Sequence, residues 1–305
     1  AGRGALRTTP GKVGLGLTIA SWVGLAATYQ ALPWYTTFPT EEAATRSRRA
    51  GRRALELDPD NAEALYTLAA TIFQYDLEWT KAAQLFEQAI GLNPEYTQGL
   101  TWYCWFVSAM GRLEESMPWC ERALELDPLR VQTLAQYGEN LLLLGQYEEA
   151  LRIFERVLAL RPDFGWPRLE LAYGLVRIGR LEEASENLSV YARDNRLPGG
   201  EAAATAIMAG LRDPSFRDDA VSSVLGWISE DENQAWWFMG WLALLEAREE
   251  VLVVVERMME TKEAGYSSLD VSLAADYLRG DPRFEAALAS LGIPDPPPEV
   301  VPIAW

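Results

Sequence analysis

The sequence of 305 residues contains no histidine. That removes the side chain most often used as a general base near neutral pH, and the commonest metal ligand. Cysteine occurs only twice, too few for a cysteine-rich zinc site or a disulfide framework. Basic residues are scarce as well. Against 44 Asp and Glu stand 27 Lys and Arg, and the net charge of −17 repels nucleic acid and anionic lipid over most of the surface. These shortages demote an enzyme without excluding one. What the chain does hold is 49% hydrophobic residues, enough for a sizeable core, and an abundance of Trp and Tyr that argues against a disordered polymer.

The charge is unevenly distributed. Residues 1–53 carry a net +6, and the rest of the chain carries −23. This asymmetry predicts a basic end on an acidic body. Arg46, Arg48, Arg49, Arg52 and Arg53 flank a stripe of small residues, Ser47, Gly51 and Ala54, so they are expected to be exposed as a docking patch. Acidic phospholipid headgroups or an acidic protein would suit such a patch. Residues 13–40 carry no charge at all, and the stretch Val13–Leu32 precedes Trp34 and Tyr35. Length and flanks resemble a membrane span with an interfacial belt, to which Trp22 could add. Gly14, Gly16, Thr18, Ser21, Gly24, Thr28 and Gln30 favour a repeat helix over a span.

A repeat organises the chain. Pro59, Pro94, Pro128 and Pro162 recur at a near-constant interval of about 34 residues. Each follows the same set of side chains: Ala82, Phe86 and Ala89, then Ser116, Cys120 and Ala123, then Ala150, Phe154 and Val157, with Ala184, Leu188 and Tyr191 continuing the series. Offsets of four and seven put these side chains on one helical face, and the proline stops the helix. A second stripe precedes the first in each unit: Leu65, Leu68, Ala69 and Ile72 match Leu100, Tyr103, Cys104 and Val107, and then Leu134, Tyr137, Gly138 and Leu141. Trp22, Leu25, Ala26 and Tyr29 fit the same spacing. Gly111, Gly145 and Gly179 fall where a helix C-terminus needs a left-handed residue. One pair of antiparallel helices per repeat follows.

This pattern resembles the tetratricopeptide repeat, closely over residues 61–192 and more loosely over 19–60, where a loop around Leu32–Thr40 is expected to lengthen the turn. The phrases Tyr75-Asp76-Leu77-Glu78-Trp79 and Gly280-Asp281-Pro282-Arg283-Phe284, the latter followed by Leu291-Gly292-Ile293-Pro294, are similar to a bacterial subgroup of such arrays. In that subgroup the arrays form the C-terminal regions of nucleotide cyclases, Ser/Thr kinases and winged-helix regulators. The resemblance implies an all-α, right-handed α-solenoid that binds other proteins. The expected organisation is a basic arm at 1–18, the repeat array at 19–198, degenerate helical repeats and a cap at 199–293, and a Pro-rich tail at 294–305. Within the degenerate part, residues 201–212 with 215–229 and 233–247 with 249–264 read as helix pairs.

No catalytic constellation, cofactor site or metal site is legible. Glu114-Glu115, Glu148-Glu149 and Glu182-Glu183 recur with the repeat just after the inter-helix turn, where they favour a helix N-terminus. Cys104 and Cys120 occupy core positions on facing helices and are expected as two buried thiols, because a disulfide needs backbones closer than helix packing usually allows. The binding surface is expected on the concave face lined by the first helices, at Tyr66, Phe73, Trp105, Glu139, Leu142, Trp166, Leu169, Tyr173 and Arg177. Family members that clamp a C-terminal carboxylate present several Lys, Arg and Asn there. Here Arg177 is the one cation, and the aromatic lining suits an apolar helix or extended segment instead. In the tail, Ile303 and Trp305 are candidates for docking on a partner. The functional expectation is a non-catalytic interaction subunit of a multi-subunit complex, binding protein partners and no nucleic acid. A membrane-associated accessory subunit attached through residues 1–53, or a regulatory array of a bacterial signalling system, are the alternatives.

Overall fold

The computed structural model describes the backbone of residues 10–230 and 235–302, with side chains over 18–229 and 235–302. Ile303 and Trp305 lie outside the described residues. Five helix hairpins come first: α1 (Pro10–Tyr35) with α2 (Thr40–Leu57), α3 (Ala62–Tyr75) with α4 (Trp79–Leu92), α5 (Thr97–Ala109) with α6 (Leu113–Leu126), α7 (Val131–Leu143) with α8 (Tyr147–Leu160), and α9 (Trp166–Arg177) with α10 (Leu181–Asp194). Two further hairpins follow, α11 (Gly200–Arg212) with α12 (Arg217–Glu230) and α13 (Ala235–Leu244) with α14 (Arg248–Thr261). The chain ends in a 3₁₀ segment (Tyr266–Val271), the short helices α15 (Ala275–Leu278) and α16 (Pro282–Ser290), and an irregular tail. Each second helix packs on the first helix of the next hairpin, and α1, α3, α5, α7 and α9 contact one another in series as an inner layer. The result is an all-α, right-handed solenoid.

The periodic residues set the hairpins. The second helices end at Leu57, Leu92, Leu126 and Leu160, each two residues before its proline. Gly111, Gly145 and Gly179 turn the chain in the left-handed region at φ 76°, 73° and 78°. In the turn between α3 and α4 the equivalent residue is Leu77, which adopts φ 55° without the help of a missing Cβ. Glu114-Glu115, Glu148-Glu149 and Glu182-Glu183 occupy the first turns of α6, α8 and α10, where carboxylates meet the positive end of the helix dipole. Close crossings need small residues: a Cβ on Gly138 would come within 2.8 Å of the Phe154 ring.

Three expectations need correction here. First, α1 does not break at Leu32. It runs through Pro33 to Tyr35 and starts at Pro10. Its buried face is Val23, Ala26, Gln30 and Pro33, while Leu25 is 44% exposed because, among the described residues, no hairpin precedes it. Ser47 Oγ donates to the Ala26 carbonyl at 2.8 Å, Tyr75 Oη to the Gln30 carbonyl at 2.7 Å, and Gln30 Nε2 to Gln74 Oε1 at 2.9 Å. Those partners make α1 the first helix of a hairpin; among the described residues no helix is long and apolar enough to cross a membrane. Second, Arg48 is half-buried and ion-paired with Asp76 rather than displayed. Third, Cys104 and Cys120 are joined as a disulfide with a Cα separation of 5.5 Å. Both lie close to the Gly111 turn that closes the α5–α6 hairpin, seven residues before it and nine after, where the two backbones converge.

The C-terminal region folds back over the middle of the array. Tyr266 Oη donates to the Tyr75 carbonyl at 2.9 Å, and Trp105 Nε1 to Ser268 Oγ at 3.1 Å. Trp79, almost fully buried, finds an acceptor for its indole N–H in the Leu291 carbonyl at 2.7 Å, as a buried indole requires. Further on, Val301 N donates to Tyr103 Oη at 2.8 Å and Arg112 to the Pro298 carbonyl at 2.8 Å. Ile293, Val300 and Val301 pack against the core of the second and third hairpins. The described part of the tail therefore docks on the chain's own α5–α6 hairpin.

Candidate functional site

The inner layer lines a cavity of about 310 Å³. Ala31, Trp34 and Tyr35 come from the end of α1; Gln98, Thr101, Trp102 and Trp105 from α5; Gln132, Gln136 and Glu139 from α7, with Arg130 just before it. Phe164 and Trp166 close one side at the start of α9, and Trp236 and Trp237 reach in from α13. The repeat explains this assembly. Gln98, Gln132 and Trp166 are successive copies of one repeat position, Trp102 and Gln136 of a second, and Trp105 and Glu139 of a third. Within each helix the offsets of four and seven keep all three positions on one face.

The tryptophans hold one another. Trp34 meets Trp105 with ring centroids 5.0 Å apart at 71°, and Trp237 at 5.9 Å and 67°. Trp166 stacks on Trp237 at 4.9 Å, Trp102 lies 5.5 Å from Trp105, and Phe164 meets Trp166 edge-on at 5.6 Å. Trp34 also donates its indole N–H to Gln74 Oε1 at 3.1 Å, which fixes the ring. At the rim Tyr35 is 61% exposed.

Among these rings sits one carboxylate. Glu139 accepts a 3.3 Å hydrogen bond from Gln136 Nε2, and among the described residues it has no ion-pair partner. Burial pushes its carboxyl up to about 7, against the smaller opposing effect of that hydrogen bond. Beside it Glu170, 2% exposed, is held well above the usual carboxylate range by burial and, secondarily, by the charge of Glu139. One Glu170 oxygen, Oε2, and the Arg130 Nε are buried with no hydrogen-bond partner among the described residues.

The nine residues expected in the groove separate into three groups. Trp105, Glu139 and Trp166 line the cavity. Tyr66, Phe73, Leu142, Leu169 and Tyr173 are each at most 2% exposed and serve as core. Tyr66 lies against the backbone of Gly99 and beside Tyr96, and Phe73 is packed among Trp79, Phe86, Trp105 and Phe106. Tyr173 and Glu170 would continue the repeat series of the cavity, but α13 packs on α9; Trp241 meets the Tyr173 ring, and the Tyr173 hydroxyl bonds the Leu273 carbonyl. Arg177 stays exposed, its guanidinium 5.0 Å from the Tyr147 ring. Of the other candidates, Trp34 and Tyr35 belong to the cavity, while Trp22 is half-buried on α1 away from it. In the arginine patch, Arg46 pairs with Glu42 and Arg53 with Glu56, whereas Arg49 and Arg52 are exposed and make no ion pair among the described residues.

Helix hairpins stacked at a constant period, with first helices lining one face, define a helical repeat protein of the α-solenoid class. Tetratricopeptide repeats are found within it: that family matches residues 141–209 and again 108–128. Two solved structures share the fold. PilF of Pseudomonas aeruginosa is similar at 23% identity and a TM-score of 0.54, over 71% of this chain and 93% of that one. PilW, described as a widely conserved type IV pilus biogenesis factor, is similar at 23% identity and a TM-score of 0.55, over 69% and 92%. No curated protein matches the sequence.

Proposed function

We propose that this chain is a non-catalytic interaction subunit that holds a protein partner at the tryptophan-lined cavity of its inner layer. The observation that carries this reading is the cavity itself: aromatic side chains from α1, α5, α9 and α13 converge on one space where the apolar positions of a repeat array usually end in packing. Rigid, partly buried tryptophans are the side chains that most often dominate binding energy at protein interfaces. The volume is at the lower end of what accepts a small ligand or an inserted side chain. The test is native purification of the tagged protein, followed by the same pull-down with Trp102→Ala and Trp166→Ala. Recovery of the partner should fall about tenfold or more for a hot-spot loss of about 1.4 kcal/mol or greater, while circular dichroism and melting stay near wild type. Undiminished recovery in both variants defeats the reading.

A second reading draws on Arg49 and Arg52, two exposed cations on α2 without ion-pair partners among the described residues. They support attachment of residues 1–53 to an acidic surface, a headgroup layer or another subunit of a complex. Washing membranes first with high salt and then with detergent separates the cases, and release into plain buffer removes the membrane from consideration.

A further inference from the structure

We propose that the cavity receives an organic ammonium group, methylated or alkylated, caged by its tryptophans and neutralised by Glu139. The inference rests on the cavity being the functional site and adds the chemistry of what enters it.

Charge complementarity carries the argument. A carboxylate placed among indole rings is costly to ionise unless a cation comes to it, and the fold supplies none. Among the described residues the one cation lining the cavity is Arg130. It sits nine residues before Glu139 and makes no ion pair with it. The other titratable group lining this space is Tyr35 from α1; Glu170 from α9 is buried behind the wall and adds negative potential when charged. The α5 and α13 walls contribute one amide, a hydroxyl and tryptophans, with no charge of either sign.

The walls suit the same ligand. Tryptophan faces attract cations more strongly than the other aromatic rings, and cages of them recognise quaternary ammonium groups. Here six indoles, from α1, α5, α9 and α13, line one space, and their mutual angles run from 24° between Trp166 and Trp237 to 71° between Trp34 and Trp105, so the walls do not share one plane. A metal ion fits poorly, because a hard cation needs six or more oxygen ligands and the cavity offers one carboxylate. A purely apolar side chain, or a neutral sugar, would leave Glu139 uncompensated.

The test compares two ligands of one shape: choline, and its uncharged isostere 3,3-dimethyl-1-butanol, titrated against the intact protein by tryptophan fluorescence and calorimetry. Choline is expected to bind at least about tenfold more tightly at pH 8. Because the ionised Glu139 is the competent form, its affinity should fall by up to about thirtyfold between pH 8 and pH 5.5. Glu139→Gln should remove most of both the preference and the pH dependence. A peptide bearing trimethyl-lysine, run beside choline, tells a free amine from a partner's side chain: tighter binding of the peptide assigns the group to a protein partner. Equal binding of the isostere, no binding of either, or a preference that survives Glu139→Gln overturns the proposal. An isostere bound as well as choline, together with a partner still lost in Trp166→Ala, would overturn the cation while leaving the cavity as the partner site.

Discussion

The Cys104–Cys120 cross-link offers the sharpest perturbation of the array, because it can be removed without changing any side-chain volume in the sequence. The bond spans 16 residues and closes one hairpin. In the chain-entropy picture a loop of that length restrains the unfolded state by about 3 kcal/mol. Unfolding entropy of about 2.1 cal/mol/K per residue, summed over the chain, makes that a loss of about 5 °C in Tm if the molecule melts as one unit. Repeat arrays couple mainly to their neighbours, so the loosening should concentrate in α5 and α6. The protein is unfolded, reduced and refolded in reductant, then compared with the untreated protein by calorimetry and hydrogen exchange. A lower Tm and faster exchange confined first to residues 97–126 are expected. Two thiols titratable in the unfolded, unreduced protein would refute the cross-link, and an unchanged Tm would refute the entropy argument. Disulfides of this kind persist in oxidising compartments, so thiol alkylation in intact cells also reports where the chain resides.

Two glycines separate backbone strain from packing. Gly145→Ala meets no atom within 4 Å but keeps φ 73°, so it should cost about 1–2 kcal/mol in urea unfolding that no neighbouring substitution relieves. Gly99→Ala places its Cβ 2.5 Å from the Tyr66 ring, an overpacking cost of about 1–3 kcal/mol that Tyr66→Leu should largely rescue. The burial of Glu170 raises its carboxyl in the folded state, so its contribution to stability is complete below the ordinary carboxylate value and is lost as pH rises through the folded value. Glu170→Gln should therefore flatten the decline in Tm between pH 5 and pH 8, and parallel declines in the two proteins would contradict the assignment.

The hairpins were legible because they are periodic. Prolines and glycines one repeat apart mark the ends and turns of helices that pack on sequence neighbours, and small residues at matching offsets mark where those helices cross. The cavity was legible in part for the same reason: Trp105 and Glu139 occupy one repeat position of the inner layer, and Trp166 lies on the same face one repeat on, seven residues earlier in its helix. Gln98, Trp102, Gln132 and Gln136 sit in register with them and could have been found by extending the same series one turn toward the helix N-termini. What periodicity cannot encode is contact between elements that are not neighbours in the array. The hydrogen bond from Trp79 to Leu291 spans 212 residues, and the cover that α13 places over Tyr173 and Glu170 joins helices that no repeat relates. The disulfide escaped for a different reason. Average helix spacing excludes it, but the two cysteines sit near a turn, where the local separation falls below that average.

The fold-back changes what can bind. An aromatic groove running the length of the inner layer would suit a helix or an extended strand of a partner. Here the 3₁₀ segment crosses α3 and α5, with Tyr266 and Leu269 fully buried and hydrogen bonds to the Tyr75 carbonyl and from Trp105. Burying two such side chains and making two such bonds contributes about 5 to 8 kcal/mol to the closed form, opposed by the entropy of ordering the segment. A partner segment that had to displace this cover would first have to break those contacts and would bind more weakly for it. A side chain or a small head group entering beside Trp34 and Trp166 incurs no such cost. On the proposed reading, the residues that close the superhelix turn a general groove into a site that selects by the chemistry of a single inserted group, with Glu139 setting the sign of the charge that group carries.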